Sequence, residues 1–184
     1  MPRRHLKIAF IPTEVSGVNY YRVWQPAIGL RSIGVPTAVL WYSNRQFLRD
    51  NWEIDLVNER YQQRIVDDIT KACEWADVIV WMGLHGSEPL KLFLHMKKRY
   101  PTKPFVMEMD DNIFLLPSYN IASSQLKPGS RNTTIYMDQM KNSDAMIVST
   151  PELKRAYSKY FKKKIYVLEN HINLSLWRRQ LSPA

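Results

Sequence analysis

At 184 residues and 45% hydrophobic content, the chain is long enough to bury a core without a disulfide staple. Its formal net charge of +9 suits nucleic acid, anionic lipid or phosphorylated small molecules, and charge alone does not choose among them. The single cysteine, Cys73, excludes an internal disulfide, favours a reducing compartment and reads as a small core residue on a helix. No run of about 18 apolar residues occurs, so no transmembrane helix is expected. The basic start of the chain precedes only a short apolar run at 8–12, too short for a signal peptide, and reads as the first strand of a cytoplasmic protein. Aromatic residues make up 12%, with six tryptophans; core packing is the default reading of them, with some rings expected at a binding or interdomain surface.

Residues 6–12 form a near-continuous apolar run, as expected of a central parallel strand covered on both faces. A loop at 13–19 with one glycine, Gly17, precedes a helix over about 20–33. Val23, Trp24, Ala27, Ile28 and Leu30 give that helix its apolar stripe, Pro26 kinks it or marks its first full turn, and Gly34 ends it. A second strand is expected at 36–41, and 42–59 has mixed character. Tyr61, Ile65, Ile69, Ala72, Cys73 and Ala76 trace one face of a helix, and a buried strand follows at 77–82. The glycine-bearing loop 83–87 leads into a helix over 88–99, with Leu90, Phe93 and Leu94 inward and Lys97, Lys98 and Arg99 at the end that suits cations.

The strand beginning at Phe105 stops in a cluster of carboxylates, Glu108, Asp110 and Asp111. Residues 113–130 contain two prolines and a glycine and read as an irregular, mobile loop. Thr133 or Thr134 is expected to cap a short helix to about Asn142. A strand at 144–149 follows. Thr150, Pro151 and Glu152 are a strong helix start, with Leu153, Ala156, Tyr157, Tyr160 and Phe161 on its apolar face, and residues 164–168 form the last strand. This alternation predicts an α/β fold: a Rossmann-like parallel sheet with helices on both faces.

Several signals are absent. There is no Gly-x-Gly-x-x-Gly after the first strand, no Walker A loop and no Gly-x-Ser-x-Gly elbow, and the four histidines and one cysteine show no metal-ligand spacing. What remains is a set of loops at the carboxyl ends of the strands, where open α/β sheets bind ligands. In the first loop, Ser16 and Gly17 can bring backbone N–H groups to a phosphate at a helix start, or form a plain turn. Tyr21 and Arg22 follow, and Arg22 either pairs with a phosphate in the cleft or is a solvated surface arginine. In the loop after the third strand, Gly83 and His85 stand at another strand end; His85 serves as acid, base or donor to a sugar hydroxyl, or is simply exposed. Glu108, Asp110 and Asp111 are the leading candidates. Their mutual repulsion would raise at least one pKa if they are buried, which suits a general base, while the alternative role for Asp110 or Asp111 is to cap the following turn.

The order of these motifs resembles a known family. Residues 20–30, Tyr-Tyr-Arg-Val-Trp-Gln-Pro-Ala-Ile-Gly-Leu after the Gly17 loop, resemble the first βα unit of GT-B glycosyltransferases of the family 4 type. The segment Glu108-Met-Asp-Asp-Asn112 resembles the acidic strand end of a bacterial and phage branch. Residues 142–154 resemble the family's ADAVIVST-P-xLK segment, and residues 167–173, with Asn170, its V-x-PNGID segment. The resemblance implies a single GT-B N-terminal lobe over residues 1–175, with 176–184 beginning an interdomain linker or tail. In such a lobe the acceptor, a small molecule or glycan, binds; a nucleotide sugar is the donor co-substrate, no cofactor is tightly held, and no metal is needed. Asp110, Asp111 and His85 would be the catalytic residues, and Ser16, Gly17, Tyr21, Arg22, Gly83, Glu108 and Asn170 would bind substrate. His171 stands where the family has glycine and Asn173 where it has aspartate. The family's donor-binding domain is not in these 184 residues, so the resemblance implies a C-terminal domain on another chain or missing from this one.

Two other readings compete with this one. The first is a standalone basic module for nucleotide, nucleic acid or anionic membrane surface, with peripheral contact at an inner membrane among its forms, carried by clusters such as Lys97–Arg99 and Lys159–Lys164, which otherwise read as solvated helix ends. The second is a small independent enzyme in which His85 acts with Asp110.

Overall fold

The computed structural model describes residues 6–12, 17–40, 59–127 and 129–171. Ser16, the chain from Trp41 to Asn58, Asn173 and the segment 176–184 lie outside the described residues. The expected placements of a strand end at 41, of mixed structure over most of 42–59 and of a linker therefore fall there too.

Six strands form one all-parallel sheet in the order β2-β1-β3-β4-β5-β6. They are β1 Ile8–Ile11, β2 Thr37–Val39, β3 Val78–Met82, β4 Phe105–Met109, β5 Ala145–Val148 and β6 Lys164–Val167. The first helical run, α1, has three pieces: Gly17–Asn19, a π-helical turn Tyr20–Trp24, and Gln25–Ser32. Then come α2 Glu59–Trp75, α3 Ser87–Arg99, α4 Arg131–Asn142 and α5 Pro151–Tyr157. The fold is α/β and Rossmann-like, as the alternation of elements predicts.

The winding follows from the order of the strands. The chain crosses from β1 to β2 on one side, then returns past β1 to β3 and continues outward to β6. Right-handed crossovers therefore place α1 on one face of the sheet and α2 to α5 on the other. The core agrees. Val23 and Ala27 of α1 pack with Phe10, Val80, Met82 and Val106, whereas Ile65, Ile69, Phe93, Met96 and Ile135 pack with Ala9, Ile11, Trp81 and Phe105. A second cluster on that face joins Met107 and Met146 to Tyr136, Tyr157 and Phe161. The point where the winding reverses, between β1 and β3, opens a crevice at their carboxyl ends.

Local differences from the sequence reading have physical causes. The π-turn in α1 adds a residue to the helical repeat, so the buried stripe is Asn19, Arg22, Val23 and Ala27, while Ile28 faces solvent. Pro26 sits at the start of the α-helical piece that follows that turn. Ser130, not Thr133 or Thr134, caps α4: its hydroxyl accepts from Thr133 N at 3.2 Å. Thr150 caps α5 as predicted, accepting from Leu153 N at 3.1 Å. The segment after β4 is irregular, with one 3-10 turn at Ile121–Ser124, yet Ile113 and Leu126 anchor it in the core. Cys73 is buried, and burial pushes its thiol up to about 12, as befits an inert core residue.

Much of the basic charge is spent on helix ends. Lys103 Nζ donates to the carbonyls of Cys73, Glu74 and Ala76 at 2.5, 2.6 and 2.7 Å, closing the end of α2. Lys163 Nζ donates to Ser143 O at 2.6 Å beyond α4, Lys97 pairs with Asp144, and Arg99 with Glu74 at 3.5 Å. These residues lie where helices end and strands begin, at the sheet edge opposite the crevice.

Candidate functional site

The crevice holds a cleft of about 170 Å³. Asn19 from α1, Gly83 and His85 after β3, Glu108, Asp110 and Asp111 at the end of β4, Asn120 from the segment beyond it, and Tyr136 of α4 supply its polar lining; Val18, Met82, Met109, Ile113, Leu116 and Leu126 are its apolar walls. Parallel register explains the convergence: Met82 lies beside Glu108, so the strand-end residues of β3 and β4 emerge side by side.

Glu108 is the last strand residue on the α1 side of the sheet, two positions beyond Val106. That placement, under the π-turn, brings it to Arg22. Arg22 is 1% exposed and Glu108 2%. Arg22 Nε donates to Glu108 Oε1 at 2.5 Å, and its Nη1 donates to the Leu168 carbonyl and to Asn170 Oδ1, the latter at 3.0 Å. Asp110 Oδ1 stands 3.9 Å from Arg22 Nε and accepts from Asn170 Nδ2 at 3.2 Å. The guanidinium thus ties the ends of β4 and β6 together. It is not open to solvent, so the expectation of a solvated surface arginine is corrected, and its Nε is taken by Glu108. A charge this deeply buried is tolerated only with a partner, and Glu108 provides it.

The pair is incomplete. Glu108 Oε2 and Arg22 Nη2 are buried without a hydrogen-bond partner. Burial pushes the Glu108 carboxyl up to about 7; the Arg22 charge and hydrogen bond pull the other way, and Asp110 and Asp111 add smaller upward pushes. The expected rise of one carboxyl is present, but its main cause is desolvation rather than repulsion within the cluster. Asp111 is also held above its ordinary value, by loss of hydration first and by Asp110 second.

Asn112 makes the turn that follows β4: its Oδ1 accepts from Phe114 N at 3.2 Å. That leaves the expected capping role with Asn112 instead of Asp110 or Asp111. The backbone there is braced from α5, since the Tyr157 hydroxyl donates to Asp111 O at 2.6 Å and receives Ile113 N at 3.3 Å. The carboxylates are therefore carried on fixed backbone.

The opposite wall is built by α4. Buried Gln139 accepts from Leu84 N at 2.9 Å and donates to Met82 O at 3.0 Å, holding the loop after β3. Gly83 N donates to Glu108 O at 2.9 Å, and a Cβ on Gly83 would meet Met109 Sδ at 2.4 Å and Tyr136 Cε1 at 2.7 Å. Gly86 has φ 94°, which favours glycine at the start of α3. The Tyr136 hydroxyl lies 2.9 Å from His85 Nε2 and 3.1 Å from Nδ1, fixing an otherwise exposed imidazole at the cleft.

Of the sequence candidates, the cleft gathers Gly83, His85, Glu108, Asp110 and Asp111, and Asn170 joins through Asp110. Gly17 begins α1 with open space around its α-carbon. Tyr21 packs edge-on against Tyr20 at 5.5 Å and is not among the described lining residues. Asn19, Gln139 and Tyr136 escaped the sequence reading. Gln139 carried a legible signal, a polar residue within the buried stripe of Ile135, Tyr136 and Met140. Among the described residues no group of three His, Cys, Asp or Glu side chains could hold a metal ion. No described helix is long and apolar enough to cross a membrane.

No family model matches the chain, and no curated protein matches it. Function is therefore argued from the site.

Proposed function

We propose that the chain is the acceptor-binding lobe of a GT-B glycosyltransferase, which holds a hydroxyl-bearing small molecule or glycan in the acidic cleft while a second domain presents a nucleotide sugar. The observation behind this reading is the grouping of Glu108, Asp110, Asp111 and His85 around one small cleft at the winding reversal of a parallel sheet. Three carboxylates and one guanidinium already committed to Glu108 disfavour a phosphate there and suit donors of hydrogen bonds, such as sugar hydroxyls.

In this reading Asp110 or Asp111 takes the proton of the acceptor hydroxyl as its oxygen bonds to the anomeric carbon. The bond from that carbon to the nucleotide phosphate breaks, and the nucleotide departs with the electron pair. The raised pKa of Asp111 suits a general base. His85, fixed by Tyr136, orients a second hydroxyl. Arg22 and Asn170 hold Glu108 and Asp110 in place. The nucleotide sugar is a co-substrate, and no tightly held cofactor or metal takes part.

A thermal-shift panel of nucleotides and nucleotide sugars tests this division of labour. The expected result is weak stabilisation by all of them; a large shift with one nucleotide sugar would place the donor site in this lobe and overturn the reading.

A second reading has its own observation. Lys97, Arg99, Lys103, Lys141 and Lys163 gather at the edge opposite the cleft, which favours a basic module for nucleic acid or an anionic membrane surface. Salt-dependent retention on DNA or on anionic liposomes supports that reading, and elution at low salt from both removes it.

A further inference from the structure

We propose that the basic edge docks the chain on a bilayer containing anionic phospholipid, with a lipid seated in the groove between the end of α4 and the loop that joins α5 to β6. This gives the basic-edge reading a single partner and rests on it; it does not depend on the acceptor reading.

The first observation is the groove itself, which encloses about 440 Å³. Buried Met140 and Phe161 form its floor, and Met137 and Tyr160, 36% and 47% exposed, stand as its apolar walls. Lys141, Lys162 and Lys163, all exposed, complete the lining with Asp138. Lys162 Nζ donates to Ser158 O at 3.0 Å and Lys163 Nζ to Ser143 O at 2.6 Å, so these two ammoniums are held beside the groove. An apolar floor under a cationic rim matches an amphiphile whose anionic head is joined to an apolar chain.

The second observation is the charge around it. Residues 151–164 carry six basic side chains and one acid, Glu152, and Arg155 answers that acid at 2.7 Å. Lys154, Lys159, Lys162, Lys163 and Lys164 make no ion pair among the described residues. A cluster of about five lysines is enough to be drawn to the negative potential of an anionic bilayer.

The third observation separates lipid from nucleic acid. Nucleic acid shares the charge but brings no apolar chain for the groove. Bases stack on open aromatic faces, and Tyr160 already lies against Phe114 with ring centroids 4.1 Å apart. No arginine, whose fork suits phosphodiesters, lines the groove. The cleft opens at the other edge of the sheet, so a chain docked in this way turns the cleft to water.

Sedimentation of the full chain with vesicles tests this, using phosphatidylcholine alone and phosphatidylcholine mixed with phosphatidylglycerol, beside retention on duplex DNA. Binding is expected to the mixed vesicles and not to the neutral ones, and to weaken at least roughly tenfold between about 0.05 M and about 0.5 M salt. Lys141→Glu and Lys162→Glu are each expected to weaken it roughly tenfold. Tyr160→Ser is expected to weaken it several-fold with the charge unchanged. Lys91→Glu makes the same change of charge on α3, outside the groove, and should alter binding less than about twofold. Should Tyr160→Ser fail to fold by circular dichroism, Lys141→Glu and Lys91→Glu, both at exposed helix positions, decide. Equal binding to neutral and mixed vesicles overturns the anionic-lipid assignment. Lys91→Glu weakening binding as much as Lys141→Glu overturns the groove as the docking site. Retention on DNA to higher salt than on mixed vesicles overturns the membrane in favour of nucleic acid and leaves the basic-edge reading standing. Release from both at low salt overturns that reading as well.

Discussion

Replacing Glu108 with glutamine preserves the shape of the side chain and removes its titration. The folded carboxyl titrates at about 7 against an ordinary value of 4.5. Below 4.5 the group is protonated in both states and imposes no electrostatic cost. As pH rises past 4.5 the unfolded chain releases the proton first, while the fold keeps it until about 7. Folding stability is therefore present in full at low pH and is lost across that window. The gap, at about 1.4 kcal/mol for each pH unit, amounts to about 3 kcal/mol, most of which falls between about pH 5 and about pH 8. Almost complete burial means that solvent screening does little to reduce it. Urea unfolding of wild type and Glu108→Gln across this range isolates the effect, since the same-sign contribution of Asp111 is common to both proteins. The stability of wild type relative to the variant should fall by about 2–3 kcal/mol on going from about pH 5 to about pH 8. Parallel pH profiles, or a relative stability that rises with pH, would refute the reasoning.

Other expectations follow from the same contacts. Arg22→Met strands Glu108 without its cation and should cost about 3–5 kcal/mol above neutral pH, with a smaller loss near pH 5 where Glu108 is protonated, as read by the same unfolding series. Gly83→Ala drives a methyl into Met109 and Tyr136 and should cost about 1–3 kcal/mol, a fall of several degrees in Tm by calorimetry. Gln139→Leu leaves Leu84 N–H and Met82 C=O buried without partners and should cost about 2–4 kcal/mol in urea unfolding. Restoration of stability by Gln139→Glu at low pH, where the acid can donate as the amide does, would support that hydrogen-bond account.

The central strands β1, β3 and β4 were legible in the sequence because parallel strands buried on both faces are short apolar runs, while the partly exposed edge strands β2 and β6 still fall within the expected segments 36–41 and 164–168. The cap at Thr150 was legible because it is a local event with a fixed residue order. Ser130 was missed because the threonines beyond it carry the same kind of hydroxyl, and only backbone geometry decides which one lies outside the helix. The π-turn leaves no clear mark in composition, and it rotates Arg22 inward to meet a carboxylate 86 positions away. The strand-end carboxylates could be found from sequence, since acids ending an apolar run are conspicuous. Which of them is buried could not, because that depends on α1 crossing the sheet above Glu108 and leaving Asp110 and Asp111 toward the cleft.

The most direct test of the central claim, that the acidic strand end forms an acceptor site, is a map of backbone amide shifts on titration with saccharides. The account predicts shifts concentrated at Asn19, Gly83, Leu84 and 110–112, and their loss in Asp110→Asn with the fold intact. Shifts confined to the basic edge around Lys141 and Lys163, or a response to nucleotide sugars alone, would contradict it.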